Sequence, residues 1–274
     1  MINKKEESKE KHFGKRKDMR KKILAYIIAV LTISTCITQL IPRQNNIFKI
    51  ASQGEGEGGF LTNNNLNQKK VYLTFDDGPS DHTAEILDIL KKNKVKATFF
   101  VVGKETEHAK KMYRRIILEG HTLGMHSYSH NYDQIYANVG AFSKDLMKLQ
   151  KYLYDITEVK PYIYRFPGGS SNHCAGDIKP YIRYVNQKGI LYFDWNALNE
   201  DALNFDATSY ELNQKILKDV RRQKTSIVLM HDLHETKNTV KGLDTLIKTL
   251  KKEGYQMLPI TKNTKPLHHV SIDK

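Results

Sequence analysis

From Val71 onward the chain alternates short apolar runs with stretches whose apolar residues recur every three or four positions. The runs at residues 71–75, 97–102, 122–125, 162–166, 190–193, 226–230 and 256–259 read as strands. The amphipathic stretches at 83–92, 105–119, 143–155, 177–188, 209–223 and 237–252 read as helices. Gly120, Gly189 and Gly254 each follow such a stretch, where a left-handed cap ends a helix. Strands alternating with helices predict an α/β fold with a parallel sheet, here a distorted (β/α) barrel of about seven strands. Folds of this kind assemble their sites just beyond the carboxyl ends of the strands.

The residues before Val71 do not share the pattern. Residues 23–41 (ILAYIIAVLTISTCITQLI) carry no charge, and nineteen helical residues span roughly 28 Å, close to the apolar thickness of a bilayer. Residues 1–22 hold ten Lys and Arg against four Asp and Glu. That flank predicts an uncleaved transmembrane signal anchor with a cytoplasmic basic tail and everything after Arg43 outside the cell. A cleaved signal peptide is the competing reading; the stretch is long for one and lacks a small-x-small cleavage site. Residues 42–69, with Gly-Glu-Gly-Glu-Gly-Gly and three successive Asn, read as a flexible linker. The domain proper is expected over 70–262, followed by a tail at 263–274.

The formal charge is +14, but residues 70–274 hold 31 basic and 24 acidic residues, so half the excess lies in the N-terminal part. The remainder suits either an anionic polymer or a solvated Lys-rich surface. Arg and Lys are not interleaved with aromatics, so no nucleic-acid reader is expected. Of the two cysteines, Cys36 falls in the expected span and Cys174 beyond it, so they should not pair. A domain outside the cell without disulfides suggests a bacterial exported protein.

The chemistry gathers at strand ends. Thr74-Phe75-Asp76-Asp77-Gly78-Pro79 closes the first strand with two adjacent carboxylates, which a period of two turns to opposite sides and so to two different tasks. His126 and His130, four residues apart, would face the same way on a helical turn. A carboxylate with two imidazoles makes a three-ligand metal set, and the carboxylate left over gives the site a catalytic look. Two further clusters are Tyr164-Arg165-Phe166-Pro167-Gly168-Gly169-Ser170 and Leu229-Met230-His231-Asp232. Taken singly, these are ordinary features: Asp-Asp-Gly and Pro-Gly-Gly make turns, and a lone Arg makes an ion pair. Their joint occurrence at successive strand ends points to a catalytic centre.

Over about residues 70–260 the sequence resembles the polysaccharide deacetylases, the NodB-homology domains of carbohydrate esterase family 4. Residues 74–78 match the motif TFDDG and 126–130 match H-[ST]-x-x-H. Residues 165–169 match R-x-P-x-G and 229–232 match L-x-H-D. The resemblance implies that Asp77, His126 and His130 hold a divalent metal, zinc first and Co2+ or another ion as alternatives. It implies Asp76 as general base held by Arg165, the backbone N–H of Gly168 as an oxyanion donor, and His231 as general acid. Leu229 would line the pocket for the acetyl methyl.

The fourth motif is altered. Trp195 and Asp201 are kept, but Ala202 stands where a second Trp is expected, which removes one wall of the groove. Asp201 would orient His231, with Asp194 as the rival, and Trp195 lines the pocket or belongs to the core. The implied activity is removal of acetyl groups from N-acetylglucosamine in a cell-surface glycan, peptidoglycan above all. Exopolysaccharide and chitin-type oligomers are the alternative substrates, with O-acetylated xylan a distant third. A non-catalytic wall-binding module on the same fold is the reading of a different class. His121 reads as structural rather than metal-binding, His82 and His173 as solvent-exposed loop residues with substrate contact as the alternative, and His234 as a weak candidate for a glycan contact.

Overall fold

A computed structural model describes residues 69–272. The expected basic tail, membrane span and all but the last residue of the linker lie outside the described residues. Among the described residues no helix is long and apolar enough to cross a membrane. Cys174 is free and exposed.

The chain runs β1 (Lys70–Asp76), α1 (Thr83–Lys92), β2 (Thr98–Val102), α2 (Glu107–Leu118), β3 (Thr122–Ser127), α3 (Tyr132–Ile135) and α4 (Val139–Thr157). It continues through β4 (Ile163–Tyr164), α5 (Lys179–Gln187), β5 (Leu191–Tyr192), β6 (Ala197–Leu198), α6 (Ser209–Val220), β7 (Thr225–His231), α7 (Lys237–Lys252) and β8 (Gln256–Met257). The sheet order is β5-β4-β3-β2-β1-β7-β6, with β8 also on β1. Every pairing is parallel. The α/β alternation is as expected, but the barrel is open: no pairing among the described residues joins β5 to β6.

Central position explains the composition of β1. It is buried from Val71 to Asp76 because β7 covers one edge along its whole length, while β8 and then β2 share the other. Alternation sorts its side chains: Val71, Leu73 and Phe75 join the core beneath the helices, whereas Tyr72 joins an inner cluster with Phe100, Ile163, Phe193, Ile227 and Ile260. Thr74 and Asp76 share the face of Tyr72. A carboxylate thus follows directly from the row of side chains filling the interior.

The helices bury single stripes, as Thr83, Ile86, Leu87 and Leu90 do on α1. Thr208 and Glu211 form a capping box at α6, and the expected caps Gly120, Gly189 and Gly254 all have positive φ. Several expectations shift. β3 runs on through Ser127, β4 and β5 shrink to two residues each, and β6 was not foreseen. α3, and the start of α4 at Val139, were also missed, although Asn131 and Asn138 cap them by accepting from Gln134 N and Ala141 N.

Candidate active site

The carboxyl ends of β1, β3 and β7, with the segments after β4, β5 and β6, surround a cleft of about 360 Å³. Asp76 ends β1 on the interior face and is 2% exposed. Arg165, wholly buried, donates from one Nη to Asp76 Oδ1 at 2.8 Å and to Thr74 Oγ1 at 2.7 Å. Its Nε and second Nη donate to the carbonyls of Phe193 and Asp194 at 3.0 and 3.1 Å, and the guanidinium lies 4.2 Å above Phe100. A buried charge pair needs such full hydrogen bonding to offset the loss of water.

Asp77 does not face away. Its φ of 72° breaks the strand alternation, and both carboxylates line the same cleft. The expected division of the pair between two sides of the backbone is thus corrected. Gly78 follows because a side chain there would collide with Asp232: an added Cβ would sit 2.2 Å from Oδ2. Asp232 is held in turn by the hydroxyls of Ser80 and Thr83, at 2.5 and 2.6 Å.

The imidazole pair also differs from expectation. His126 lies on β3, and His130 follows a turn with φ 50°, so no helical turn aligns them. The turn itself brings the rings to 5.2 Å apart. Asp145, on α4, holds that turn by accepting from Ser127 Oγ, Tyr128 N, Ser129 N and Ser129 Oγ at 2.7–2.9 Å. Asp145 escaped sequence reasoning because its partners sit on another element.

His126 Nε2 and His130 Nε2 lie 3.4 and 3.1 Å from Asp77 Oδ1. His126 Nδ1 donates to the carbonyl of Arg165 at 2.8 Å, and burial pushes this imidazole below its ordinary pKa. With that proton on Nδ1, the neutral imidazole would turn a lone pair from Nε2 toward Asp77. Burial raises the Asp77 carboxyl, but the neighbouring imidazoles outweigh that and hold it below the usual carboxylate range. Asp77 Oδ1 is buried without a hydrogen-bond partner. An anionic oxygen facing a nitrogen lone pair is repulsive unless a cation lies between them. The three donor atoms, all within 4.8 Å of one another, fit a divalent metal, and one oxygen with two imidazole nitrogens suits zinc. The Arg165 carbonyl that accepts from His126 Nδ1 is the usual means of fixing such a ligand.

Across the cleft, His231 is the register partner of Asp76 on β7. Its Nδ1 donates to Asp201 Oδ1 at 2.7 Å. Asp201 Oδ2 accepts from His231 N and Thr239 Oγ1, at 3.0 and 2.8 Å. Burial disfavours the imidazolium, yet the bond and charge of Asp201, with the charges of Asp76 and Asp77 beyond, raise His231 to about 9. The rival Asp194 points elsewhere: its carboxylate accepts from Ser170 N, Ser170 Oγ and His269 N.

Leu229, Gly168 and Trp195 all line the cleft, as do Ala202 and the exposed Leu203 beside it. Tyr132, not anticipated, packs edge-on against His130 at 5.5 Å and also faces the cleft. Gly169, with φ 78°, leaves room for Trp195: an added Cβ would meet the indole at 2.8 Å.

Residues 63–184 match the family model for polysaccharide deacetylases. The putative polysaccharide deacetylase YheN of Bacillus subtilis is 33% identical over 213 residues, covering 76% of this chain and 72% of that protein. The chain belongs to the polysaccharide deacetylases. A peptidoglycan-N-acetylglucosamine deacetylase of Bacillus cereus is 29% identical over 86% of this chain and 90% of its own length. The catalytic domain of a peptidoglycan N-acetylglucosamine deacetylase from Eubacterium rectale superposes with a TM-score of 0.71 at 35% identity, covering 76% of this chain and 96% of that one.

Among the described residues, the other histidines of this deacetylase do not line the cleft. His121, just before β3, accepts from Ala97 N at 3.1 Å, and burial lowers it to about 4. His82 contacts the His234 carbonyl, His234 pairs with Asp81, and His173 is exposed.

Proposed function

We propose that this polysaccharide deacetylase removes acetyl groups from N-acetylglucosamine residues of a cell-surface glycan, peptidoglycan first among them, in a metal-dependent hydrolysis. The observation that carries the reading is the buried, unpartnered Asp77 oxygen facing two imidazole nitrogens, with a second carboxylate beside it. Asp77, His126 and His130 would hold the metal, zinc before Co2+. When bound, the ion supplies Lewis acidity toward the acetyl carbonyl and a water acidified toward neutral pH.

The chain's own groups do the rest. Asp76, fixed through one oxygen by Arg165, takes the proton from the attacking water. The Gly168 N–H donates to the oxyanion that develops as water adds to the carbonyl carbon. His231, held by Asp201 with its proton-bearing Nε2 toward the cleft, protonates the amine as the C–N bond breaks. Leu229 accommodates the methyl and Trp195 forms a wall for the sugar. The products are acetate and a free amino sugar.

Similarity to the Bacillus cereus and Eubacterium rectale enzymes supports peptidoglycan over exopolysaccharide or chitin-type oligomers. Residues 23–41 and their basic flank support a bacterial membrane anchor with the catalytic domain outside. The test is acetate release by the full chain from purified peptidoglycan and from defined N-acetylated oligomers. Release should stop with chelator and return with Zn2+. Chelator-insensitive release overturns metal dependence. A metal-loaded chain inert on every glycan would be a wall-binding module instead.

A further inference from the structure

Beyond β8 the chain does not trail away: residues 265–272 return to the centre from the outer side of β5. That edge is the end of the sheet. Phe193 N donates to β4, so Asp194 N faces outward, and it donates to the carbonyl of Leu267 at 2.8 Å. His268 stacks on Tyr192 at 3.7 Å and contacts its carbonyl, while Tyr192 OH donates to the carbonyl of Val270 at 2.8 Å.

The next contacts reach the walls of the cleft. His269 N donates to the buried carboxylate of Asp194, and Val270 N to Ser170 Oγ at 2.9 Å. His269 Nε2 donates to the carbonyl of Trp195 at 2.7 Å, which leaves Nδ1 to accept from Ser171 Oγ at 3.2 Å. The His269 ring meets the indole edge-on at 4.9 Å. Ser170 follows Gly168 and Gly169, and the Asp194 carbonyl accepts from the guanidinium that holds Asp76. The same few residues therefore brace the Gly168 loop, the Trp195 wall and, through Asp194, Arg165.

We propose that residues 265–272 form a positioning strap for the active site, with His269 setting Trp195 and the Gly168 loop. Its kinetic consequence rests on the deacetylase reading; its structural consequence does not. Trp195 is the only tryptophan in the sequence, so its emission reports on the strap directly.

The test compares the full chain with His269→Ala, His269→Gln and a deletion of residues 265–274. Three quantities are read: Trp195 emission with acrylamide quenching, bound zinc per chain, and kcat and KM on an N-acetylated oligomer. His269→Ala and the deletion should red-shift the emission and increase quenching. They should lower kcat about 10- to 100-fold, the scale of a misplacement near 1 Å. Zinc should stay bound, because the strap makes no contact with Asp77, His126 or His130. His269→Gln, whose amide can donate to the Trp195 carbonyl, should restore most of both signals. Unchanged emission in His269→Ala overturns the proposal, whatever the deletion does to folding. Equal damage from Ala and Gln, with zinc lost in both, overturns it too, because it marks general destabilisation. If the parent chain is inert on every glycan, the deacetylase reading fails and the emission still decides the strap.

Discussion

Asp201→Asn tests the electrostatics of the centre most directly. His231 stands at about 9 instead of 6.5, equivalent to about 3 kcal/mol of added preference for the imidazolium. Burial opposes that rise, so the surrounding carboxylates supply more than the net figure, and the hydrogen-bonded Asp201 leads them. A general acid must carry its proton, so activity should hold below the folded pKa and fall as pH rises through it. Asn keeps the size and the acceptor for His231 N but removes the charge. The alkaline limb of kcat/KM should then move down by about two pH units, and the protonated fraction at pH 8 from about nine-tenths to about one-tenth. A dication at Asp77 would lower both values, so the difference between the two proteins is the measurement. The raised pKa also means the pair's contribution to stability is complete below about pH 6.5 and is lost as pH climbs through about 9. Asp201→Asn should therefore lower Tm more at pH 6 than at pH 9.5. An alkaline limb that does not move, in a variant that still binds metal, would refute the reasoning.

Three further substitutions separate the remaining roles. Asp76→Asn should retain zinc by elemental analysis yet lose about 10²- to 10⁴-fold in kcat, whereas His126→Ala should lose the zinc itself; equal metal loss in both would contradict the division between the carboxylates. Arg165→Met leaves Asp76 buried without its partner and should cost about 3–5 kcal/mol, seen as a fall of roughly 6–20 °C in Tm by calorimetry. A shift within experimental scatter would show that the ion pair is not structurally required.

Much of this molecule was legible one-dimensionally. A run such as Val71–Phe75 is apolar on both faces, a strong sign of a central parallel strand, and the Ile86, Leu87 and Leu90 stripe marks its own helix. Edge strands were less legible. β5 was read at 190–193 and is two residues long, while β6, also of two residues, is too short for a period to register and exists because β7 offers hydrogen bonds. The short α3 carried only its asparagine cap as a signal. Among the site residues, those in motifs could be named in advance. Asp145 and His269 could not, because each acts on a partner on another element, and Tyr132, two residues after His130, belongs to no motif.

The sequence by itself determined the alternation of strands and helices, the placing of reactive side chains at strand ends, and the family. Local periodicity and residue chemistry suffice for these. Only the tertiary structure decided how the reactive groups converge. Asp77 turns into the cleft through its positive φ, and His130 reaches Asp77 through a turn clasped by Asp145. Asp201, not Asp194, meets His231, because the loop after β6 lies beside β7 while Asp194 is bound by Ser170 and the returning tail. Backbone conformations off the strand period, and contacts across long chain separations, are set by packing the whole domain. No local pattern encodes them.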